Sequence, residues 1–456
     1  MRIQHDNGGK MVAKDSKRRI LLKNVNLFDV EKGIFRNNQD ILIEDDFIKE
    51  VGKVNHTDEE SQMEIDCTQK FAIPGLFECH AHLTCLINQP DEVKREILKE
   101  CGIENNGQEL ELEKEVLKEF VAGGITQIRD CGGPVKSLMA LKDKVSQGEY
   151  VGPDLFYAGP MLEKSPLTGE GNNKRWPGFT VAINSKQDAK NIIQEISKEG
   201  ASLVKTFGKF DIDVFKYLLD EAKEHNLPVT HDPGPTFFHS VPMDRGIDLG
   251  IKCFEHGKSP WYVILQDDLK SEHDSLLEAD PETKEAFIDK MFLIGRESIS
   301  MTKLKQLINK MANHSVYFCP TLHVFKHYAE HPEVYREDEL EKFKKRFEIM
   351  YEISCFIAKE VMKQGIKILV GQDGWNPRFT FNEMELLKEN GFSESEIIKG
   401  ATIYPAQWLG IADQLGSISP GKKANILILN KNPLENIGNI KTAHLVLQNG
   451  NIVFQE

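Results

Sequence analysis

The amino-acid sequence predicts an α/β fold, namely a (β/α)8 TIM barrel with a small composite β-sandwich domain formed by both termini. Three observations predict it. The chain has 456 residues, enough for a barrel of roughly 200–400 residues and an accessory domain. Both chain ends are rich in short strand-like runs. Between them, short apolar runs alternate with longer amphipathic stretches, as in parallel strands covered by helices.

The two chain ends carry the predicted sandwich. Residues 20–56 contain the strand-like segments ILLKNVNLFDV and DILIEDDFIKEVGKV, and the C-terminal end contains QLGSISPGKKANILILNKNP and HLVLQNGNIVFQE. We expect residues 19–73 and 411–456 to form the sandwich and residues 74–410 to form the barrel. Residues 1–18 have no apolar core, and we expect them to be disordered.

Eight strand candidates follow one another in the barrel segment. They are LFECHAH, ITQIRDC, DLFYAGPM, SLVKTFG, LPVTHDP, IKCFEHG, VYFCPTL and IKILVGQDG. Most are rich in β-branched or aromatic residues and precede a stretch of helical period. A helical insertion is expected after the sixth strand, at about residues 261–310. In such a barrel the chemistry occurs at the C-terminal ends of the strands.

Titratable side chains lie in or at the end of five of these strands: His80, His82, Lys205, His231, His256 and Asp373. Each alone also fits a structural role, such as a hydrogen-bonded core histidine, a turn aspartate or a lysine whose amine reaches solvent. Together they form a nitrogen and oxygen ligand set suited to zinc, manganese or cobalt. The first two support this, because side chains at i and i+2 of a strand share a face.

The chain strongly resembles the amidohydrolase superfamily of metal-dependent hydrolases over residues 20–456. The resemblance rests on IPGLFECHAHL, GASLVKTFG, THDPG, KCFEHG, GQDG and the downstream ATIYPAQWLGIADQLGSISPGKKANILILNKNPL. It implies a barrel with a composite sandwich and a binuclear metal centre. The resemblance implies that His80 and His82 bind a buried metal ion and that His231 and His256 bind an exposed one. It also implies that Lys205 carries a carbon dioxide-derived carbamate that bridges both ions. Asp373 would complete the coordination of the first ion.

The resemblance also implies a reaction. Two divalent ions, with Zn²⁺ expected, share a water and lower its pKa. Asp373 would take the proton of this bridging water and pass it to the departing amine. The chain looks closest to the prolidase-like and imidazolonepropionase-related branch, through the lysine of GASLVKTF and through FEHG. That branch implies cleavage of a carbon–nitrogen bond in a dipeptide of the Xaa-Pro type or in an N-acyl amino acid.

Two alternatives stay open at this point. The same machinery could hydrolyse a cyclic amide, such as an imidazolone, or a lactone. Alternatively, the chain could be a non-catalytic scaffold that kept the fold and lost the metal. Deamination is disfavoured, because mononuclear deaminases of this type place a glutamate where the chain has Gly234, and they lack the bridging lysine.

Two further positions are candidates for substrate contact. Arg129 ends the second strand and could bind an anionic group, or it could pair with Asp130 in a structural role. His323, His327 and His331 recur every four residues after the seventh strand. On a helix this spacing forms one face, which could bind metal or line the mouth of the pocket, and His323 is the candidate substrate contact.

Composition narrows the expected partners and location. A net charge of −14 argues against nucleic acid or an acidic membrane surface, both of which require a basic surface. The N-terminal segment does not resemble a secretory signal, and no apolar run is long enough to span a bilayer. The eight cysteines are scattered, which favours reduced thiols. We therefore expect a cytoplasmic enzyme with a small-molecule substrate, for which a homo-oligomer is a possible assembly.

Overall fold

A computed structural model of the chain describes residues 18–54, 62–87, 89–103, 111–234, 238, 241–335 and 339–456. The predicted disordered segment therefore lies outside the described residues, except for Arg18. The described residues form an α/β fold, in which parallel strands are flanked by helices and both chain ends contribute to a separate sheet. This agrees with the predicted α/β class. None of the described helices is both long and apolar enough to cross a membrane.

The strands are, in chain order, β1 (Arg19–Asp29), β2 (Ile34–Glu44), β3 (Phe47–Gly52), β4 (Gln62–Asp66), β5 (Phe71–Pro74), β6 (Leu76–Ala81), β7 (Ile125–Asp130), β8 (Asp154–Tyr157), β9 (Met161–Glu163), β10 (Thr180–Ala182), β11 (Val204–Phe207), β12 (Val229–Asp232), β13 (Cys253–Glu255), β14 (Tyr317–Cys319), β15 (Lys367–Ile368), β16 (Ile426–Leu429), β17 (Ala443–Gln448) and β18 (Asn451–Gln455).

The α-helices are α1 (Asp91–Cys101), α2 (Leu112–Ala122), α3 (Val135–Ser146), α4 (Glu170–Arg175), α5 (Lys186–Lys198), α6 (Ile212–Glu224), α7 (Met243–Asp248), α8 (Asp267–Ser275), α9 (Pro281–Ile294), α10 (Met301–Asn313), α11 (Leu322–Glu330), α12 (Pro332–Tyr335), α13 (Leu340–Lys363), α14 (Pro377–Glu389), α15 (Glu394–Gly400) and α16 (Ile403–Trp408). The predicted insertion after the sixth barrel strand contains α8, α9 and most of α10.

The terminal sheet joins the two ends of the chain. Its strand order is β18-β17-β16-β5-β1-β2-β3, and β4 pairs in parallel with β1. The ends meet where β16 runs antiparallel to β5, with Leu427 opposite Ile73. Its apolar core includes Leu22, Ile41 and Ile426, and the β-branched residues among them suit the pleated surface of a sheet.

All the strands of the other two sheets are parallel. One sheet has the order β6-β7-β8, and the other has the order β10-β9-β11-β12-β13-β14-β15. Backbone hydrogen bonds connect the two sheets at two places. Cys79 N, in β6, donates to Val370 O just beyond β15 at 2.9 Å, and Ser202 N, just before β11, donates to Tyr157 O at the end of β8 at 2.8 Å. The eight predicted barrel strands correspond to β6, β7, β8 and β11–β15.

Helices cover the outer side of the parallel strands because their apolar residues recur at helical spacing. In α5 the buried residues include Ile192, Ile193 and Ile196. In α6 they include Phe215 and Leu218. Spacings of three and four residues place these side chains on one face of each helix, which packs against the sheet. Most of the predicted polar residues lie on the opposite side of the strands.

Candidate metal centre

His80 and His82 lie at the C-terminal end of β6, a strand that is buried along its whole length. The side chain of His80 is 1% exposed, and the two ring centroids are 5.3 Å apart. His80 Nδ1 donates to Glu255 Oε2 at 2.8 Å, and His82 Nδ1 donates to Gly132 O at 3.0 Å. Both partners can only accept hydrogen bonds. Each Nε2 is therefore available as a ligand, the arrangement in which metal-binding histidines are usually held.

Asp373 stands opposite both free ring nitrogens. Its Oδ1 lies 3.4 Å from His80 Nε2 and 3.2 Å from His82 Nε2. Burial lowers the pKa of His80 to about 3, so this imidazole is neutral and its Nε2 carries a lone pair. Burial opposes ionisation of Asp373, but the imidazoles around it hold the pKa of that carboxyl well below its ordinary range. A lone pair thus faces a carboxylate oxygen, an arrangement that a cation between them would stabilise.

The backbone at two site residues is strained. Asp373 has φ of 59° and His256 has φ of 68°, in the left-handed region that residues other than glycine rarely adopt. The Asp373 amide donates to His80 O at 2.8 Å, which fixes the turn after β15 against the end of β6. Left-handed residues of this kind persist where the surrounding structure holds them, and they cluster at functional sites.

Lys205, in β11, is 1% exposed, and its Nζ has no hydrogen-bond partner among the described residues. Burial alone would lower its pKa, but the carboxylates of Glu255, Asp232 and Asp373 more than offset this and raise the pKa of Lys205. A buried amine without a partner is costly. The lysine therefore fits a site that is completed by a further group.

His256 follows β13 and faces the same centre. Its Nε2 lies 3.1 Å from Asp232 Oδ2, and its Nδ1 lies 2.8 Å from Thr321 Oγ1. Ligand atoms of His80, His256 and Asp373 all lie within 4.8 Å of one another. His80 forms a second such group with Glu255 and Cys319. The structure thus brings together five of the six predicted ligands: His80, His82, Lys205, His256 and Asp373.

The structure places His231, the sixth predicted ligand, outside this centre. Its Nδ1 contacts Thr206 Oγ1 at 2.8 Å, and its Nε2 contacts Val241 O at 2.9 Å. The ring packs edge-on against Phe215 and Phe254 at 5.5 and 6.1 Å, and burial lowers its pKa to about 4. Both ring nitrogens form hydrogen bonds on the outer side of β12. His231 is therefore a hydrogen-bonded core histidine, which was the structural alternative to a metal ligand.

Two site residues were missed by sequence reasoning. Asp232 is 3% exposed and contacts His256. Glu255 is fully buried and accepts hydrogen bonds from His80, Arg129 and Thr230. The signal for Glu255 was present, since a charged residue inside an apolar strand is the criterion that selected Lys205. Asp232 directly follows His231, and the alternation of a strand places only one of the two on the inner face.

Arg129 has neither of its predicted roles. It is 0% exposed, so it is not available to a substrate. Its Nη2 donates to Glu255 Oε1 at 2.7 Å, its Nη1 contacts Cys253 Sγ at 3.3 Å, and its guanidinium lies 5.0 Å from the Trp408 ring. Asp130 accepts instead from the amides of Leu83 and Gly132. Arg129 therefore compensates the buried charge of Glu255 beneath the centre.

His323 lies in α11, and its ring is stacked on Phe379 with centroids 4.3 Å apart. The rings of His323, His327 and His331 follow one another at 5.8 and 5.2 Å and line a cavity of about 650 Å³. The predicted shared face is therefore observed. None of these three histidines joins a candidate metal-binding group among the described residues.

Comparisons with known proteins agree with this fold. A family model described as the amidohydrolase family matches residues 263–453. A comparison with curated protein sequences finds no match.

Three solved structures illustrate the similarity. A prolidase complexed with N-methylphosphonate-L-proline has 18% sequence identity and a TM-score of 0.72, with 96% of this chain and 100% of that chain covered. A Xaa-Pro dipeptidase with bound methionine has 19% identity and a TM-score of 0.71, with the same coverage. The ochratoxinase of A. niger has 16% identity and a TM-score of 0.68, with 96% of each chain covered.

The fold is of the α/β class, and it brings candidate metal ligands together. The family match covers residues 263–453, whereas the similarity in fold to the prolidase and to the Xaa-Pro dipeptidase extends over 96% of this chain.

Proposed function

We propose that the chain is a metal-dependent amidohydrolase that cleaves an amide or peptide C–N bond, in a Xaa-Pro-like dipeptide or an N-acyl amino acid. The observation that carries this proposal is the contact between the neutral Nε2 of His80 and the ionised Asp373 Oδ1 at 3.4 Å, next to the unpartnered amine of Lys205. A net charge of −14 supports a small-molecule substrate rather than nucleic acid.

The proposal includes the fold around the site. The hydrogen bonds that connect the two parallel sheets, from β6 to the end of β15 and from the start of β11 to β8, support a closed (β/α)8 barrel over residues 74–410. The pairing of β16 with β5 supports a composite sandwich from residues 19–73 and 411–456. In this arrangement the polar residues of the centre project from the C-terminal ends of the barrel strands, where the active sites of such barrels lie.

The residues at the centre fit two divalent ions, for which zinc is the expected element. His80, His82, His256, Lys205 as a carbamate, and Asp373 would hold them. When bound, such ions polarise a carbonyl and lower the pKa of a coordinated water. A carbamate forms from a neutral amine. The carboxylates that raise the pKa of Lys205 therefore have to be balanced by cations before carbon dioxide can react with its Nζ.

The proton transfers fall to Asp373. It is ionised, and its side chain is 23% exposed while its neighbour His80 is buried, so it reaches both the centre and the substrate. We assign its carboxylate oxygens the role of taking a proton from the attacking water and delivering it to the departing amine nitrogen. The backbone hydrogen bond from the Asp373 amide to His80 O keeps this residue in place, and Thr321 orients the ring of His256.

The test is a screen of the metal-loaded chain against Xaa-Pro dipeptides, other dipeptides, N-acyl amino acids, cyclic amides and lactones. We expect turnover of a linear amide class and loss of that turnover in Asp373→Asn. Asparagine tolerates the left-handed backbone of this position, so the fold should be kept. The matched control is Asp248→Asn, which removes an exposed ion pair with Lys310. Turnover restricted to cyclic amides or lactones would support the alternative substrate. A fully loaded chain without any turnover would favour the scaffold.

A further inference from the structure

We propose that Asp232, and not His231, is the ligand that the fifth barrel strand supplies to the metal centre. This inference deepens the proposed function and rests on its metal centre. The resemblance on which the site was first predicted implied an imidazole at this point. The structure instead presents a carboxylate.

The first argument is the direction in which the side chains of β12 point. Lys205 of β11 pairs with Thr230 of β12, and Thr230 pairs with Cys253 of β13. Residues opposite one another in a sheet point to the same side, and residues two apart on a strand share that side. Asp232 therefore shares the inner face with Lys205. His231 points outward, and no rotation of its side chain can bring it through the strand.

The second argument is contact. Asp232 Oδ2 lies 3.1 Å from His256 Nε2, and Asp232 Oδ1 accepts from Gly234 N at 2.8 Å. The amide fixes one carboxylate oxygen and leaves the other directed at the histidine. Thr321 Oγ1, 2.8 Å from His256 Nδ1, can accept the imidazole proton. His256 Nε2 and Asp232 Oδ2 would then present two adjacent lone pairs to one cation.

The third argument is independent of this pair. Lys205 Nζ is buried and unpartnered, and Asp232 and Asp373 are among the carboxylates whose charges act on it. The pairing of Lys205 with Thr230 places this amine on the same face as Asp232, two residues further along β12. A carbamate on Lys205 would therefore supply a further oxygen ligand on the face that carries Asp232.

The fourth argument is that His231 is already engaged. Thr206 and Val241 occupy its two ring nitrogens at 2.8 and 2.9 Å, and Phe215 packs against its ring. Removal of His231 from this position would break both hydrogen bonds and expose a packed core. The histidine therefore stabilises the outer side of β12.

A ligand from Asp232 instead of His231 changes the chemistry of the centre. A carboxylate in place of an imidazole adds a negative charge and replaces a borderline donor by a hard oxygen. Harder ions such as Mn²⁺ suit carboxylate-rich sites, whereas Zn²⁺ suits imidazole-rich ones. We therefore infer that the second ion of this chain is bound less selectively for zinc than the ion on His80 and His82.

The experiment measures metal binding without substrate, on the full chain. Wild type, Asp232→Asn, Asp232→His and His231→Gln are stripped, titrated calorimetrically with Mn²⁺ and with Zn²⁺, and analysed for metal content. We expect Asp232→Asn to lose one of two ions or to bind it more weakly by about tenfold or more. His231→Gln should keep both ions and lose thermal stability. Circular dichroism checks the fold of every variant.

Asp232→His provides the decisive comparison. As a ligand, the new imidazole should keep the second ion and shift its preference from Mn²⁺ towards Zn²⁺ by about tenfold or more. A residue that only orients His256 leaves the donor set unchanged, so the preference would not move. Loss of an ion in His231→Gln with both ions kept in Asp232→Asn would overturn the inference. Ions bound as inferred, without any hydrolysis, would contradict the proposed function alone.

Discussion

His80 Nδ1 donates a hydrogen bond to Glu255 Oε2 at 2.8 Å, between two side chains that are 1% and 0% exposed. Arg129 in turn donates to the other oxygen of Glu255 at 2.7 Å. A buried series of hydrogen bonds therefore connects the guanidinium of Arg129, the carboxylate of Glu255 and the imidazole of His80. It fixes which ring nitrogen of His80 carries the proton, and it places the free nitrogen towards Asp373. The orientation of His80 thus depends on two buried residues, Glu255 and Arg129.

Glu255→Gln should weaken metal binding and destabilise the chain. The amide is a weaker acceptor than the carboxylate and no longer holds His80 in one tautomer, so we expect metal affinity to fall about 10–100-fold. It also leaves Arg129 as an uncompensated buried charge, at a cost of about 3–5 kcal/mol. Metal titration and denaturant unfolding measure the two effects. Glu272→Gln, which removes an exposed pair with Lys290, should change neither by much. Unchanged metal affinity in Glu255→Gln would show that the tautomer is set elsewhere.

Lys205→Ala should abolish hydrolysis without unfolding the chain. The variant removes the amine on which the carbamate is proposed to form, and it leaves a space among Glu255, Asp232 and Asp373. We expect the metal content to drop and short carboxylic acids such as acetate to restore part of it, since a free carboxylate can occupy that space as the bridging anion. Metal content and turnover are measured with and without acetate. Full turnover of Lys205→Ala without added acid would exclude the bridging role.

Gly371→Ala should displace His80 through a purely steric effect. A Cβ at this position would lie 2.7 Å from His80 Cβ and from His80 N, and 2.8 Å from Cys319 Sγ. The clash involves backbone, so it requires β6 to shift. Displacement of a ligand by even 1 Å can cost about 100-fold in rate. The control is Gly171→Ala, where the added Cβ meets nothing within 4 Å. We would measure kcat/KM and metal content for both variants. Equal values in the two variants would mean that β6 can shift without displacing His80.

The strand-end pattern predicted residues that the structure brings close together, and their role as metal ligands stays a prediction. His80, His82, Lys205, His256 and Asp373 were selected because titratable residues in apolar strands need partners, and parallel strands bring their C-terminal ends to one edge. The structure places these five residues together. The eight predicted strands are all observed, because short β-branched runs and helical stretches alternate clearly.

The sequence could not predict in the same way which face of a strand is the inner one, or which distant residue a buried side chain contacts. Alternation shows that His231 and Asp232 lie on opposite faces of β12, but which face is inner depends on the register with β11, which is set by tertiary packing. Arg129 was expected to bind a substrate or Asp130, whereas its partner Glu255 is distant in the sequence. The spacing of residues along the chain carries no information on such a contact.

Glu383, in α14, should make stability depend on pH. Its Oε2 accepts from the His323 amide at 2.7 Å, so it caps the start of α11. Burial, with the charge of Glu78 added, raises its pKa from 4.5 to about 8. The folded chain therefore binds more protons than the unfolded chain between about pH 4.5 and pH 8. Stability from this group is complete below the unfolded pKa and is lost as the pH rises through the folded pKa.

Glu383→Gln should remove that dependence, because the amide does not titrate while its oxygen still accepts from the helix amides. We expect the melting temperature of the wild type to fall between pH 5 and pH 8 relative to that of the variant, by an amount that corresponds to at most about 3–5 kcal/mol. Glu385→Gln, on the same helix, removes only an exposed pair with Lys441 and should leave the slope unchanged. Parallel profiles for wild type and Glu383→Gln would mean that the carboxyl is ionised throughout this range. In that case the cap of α11 would be a charged one.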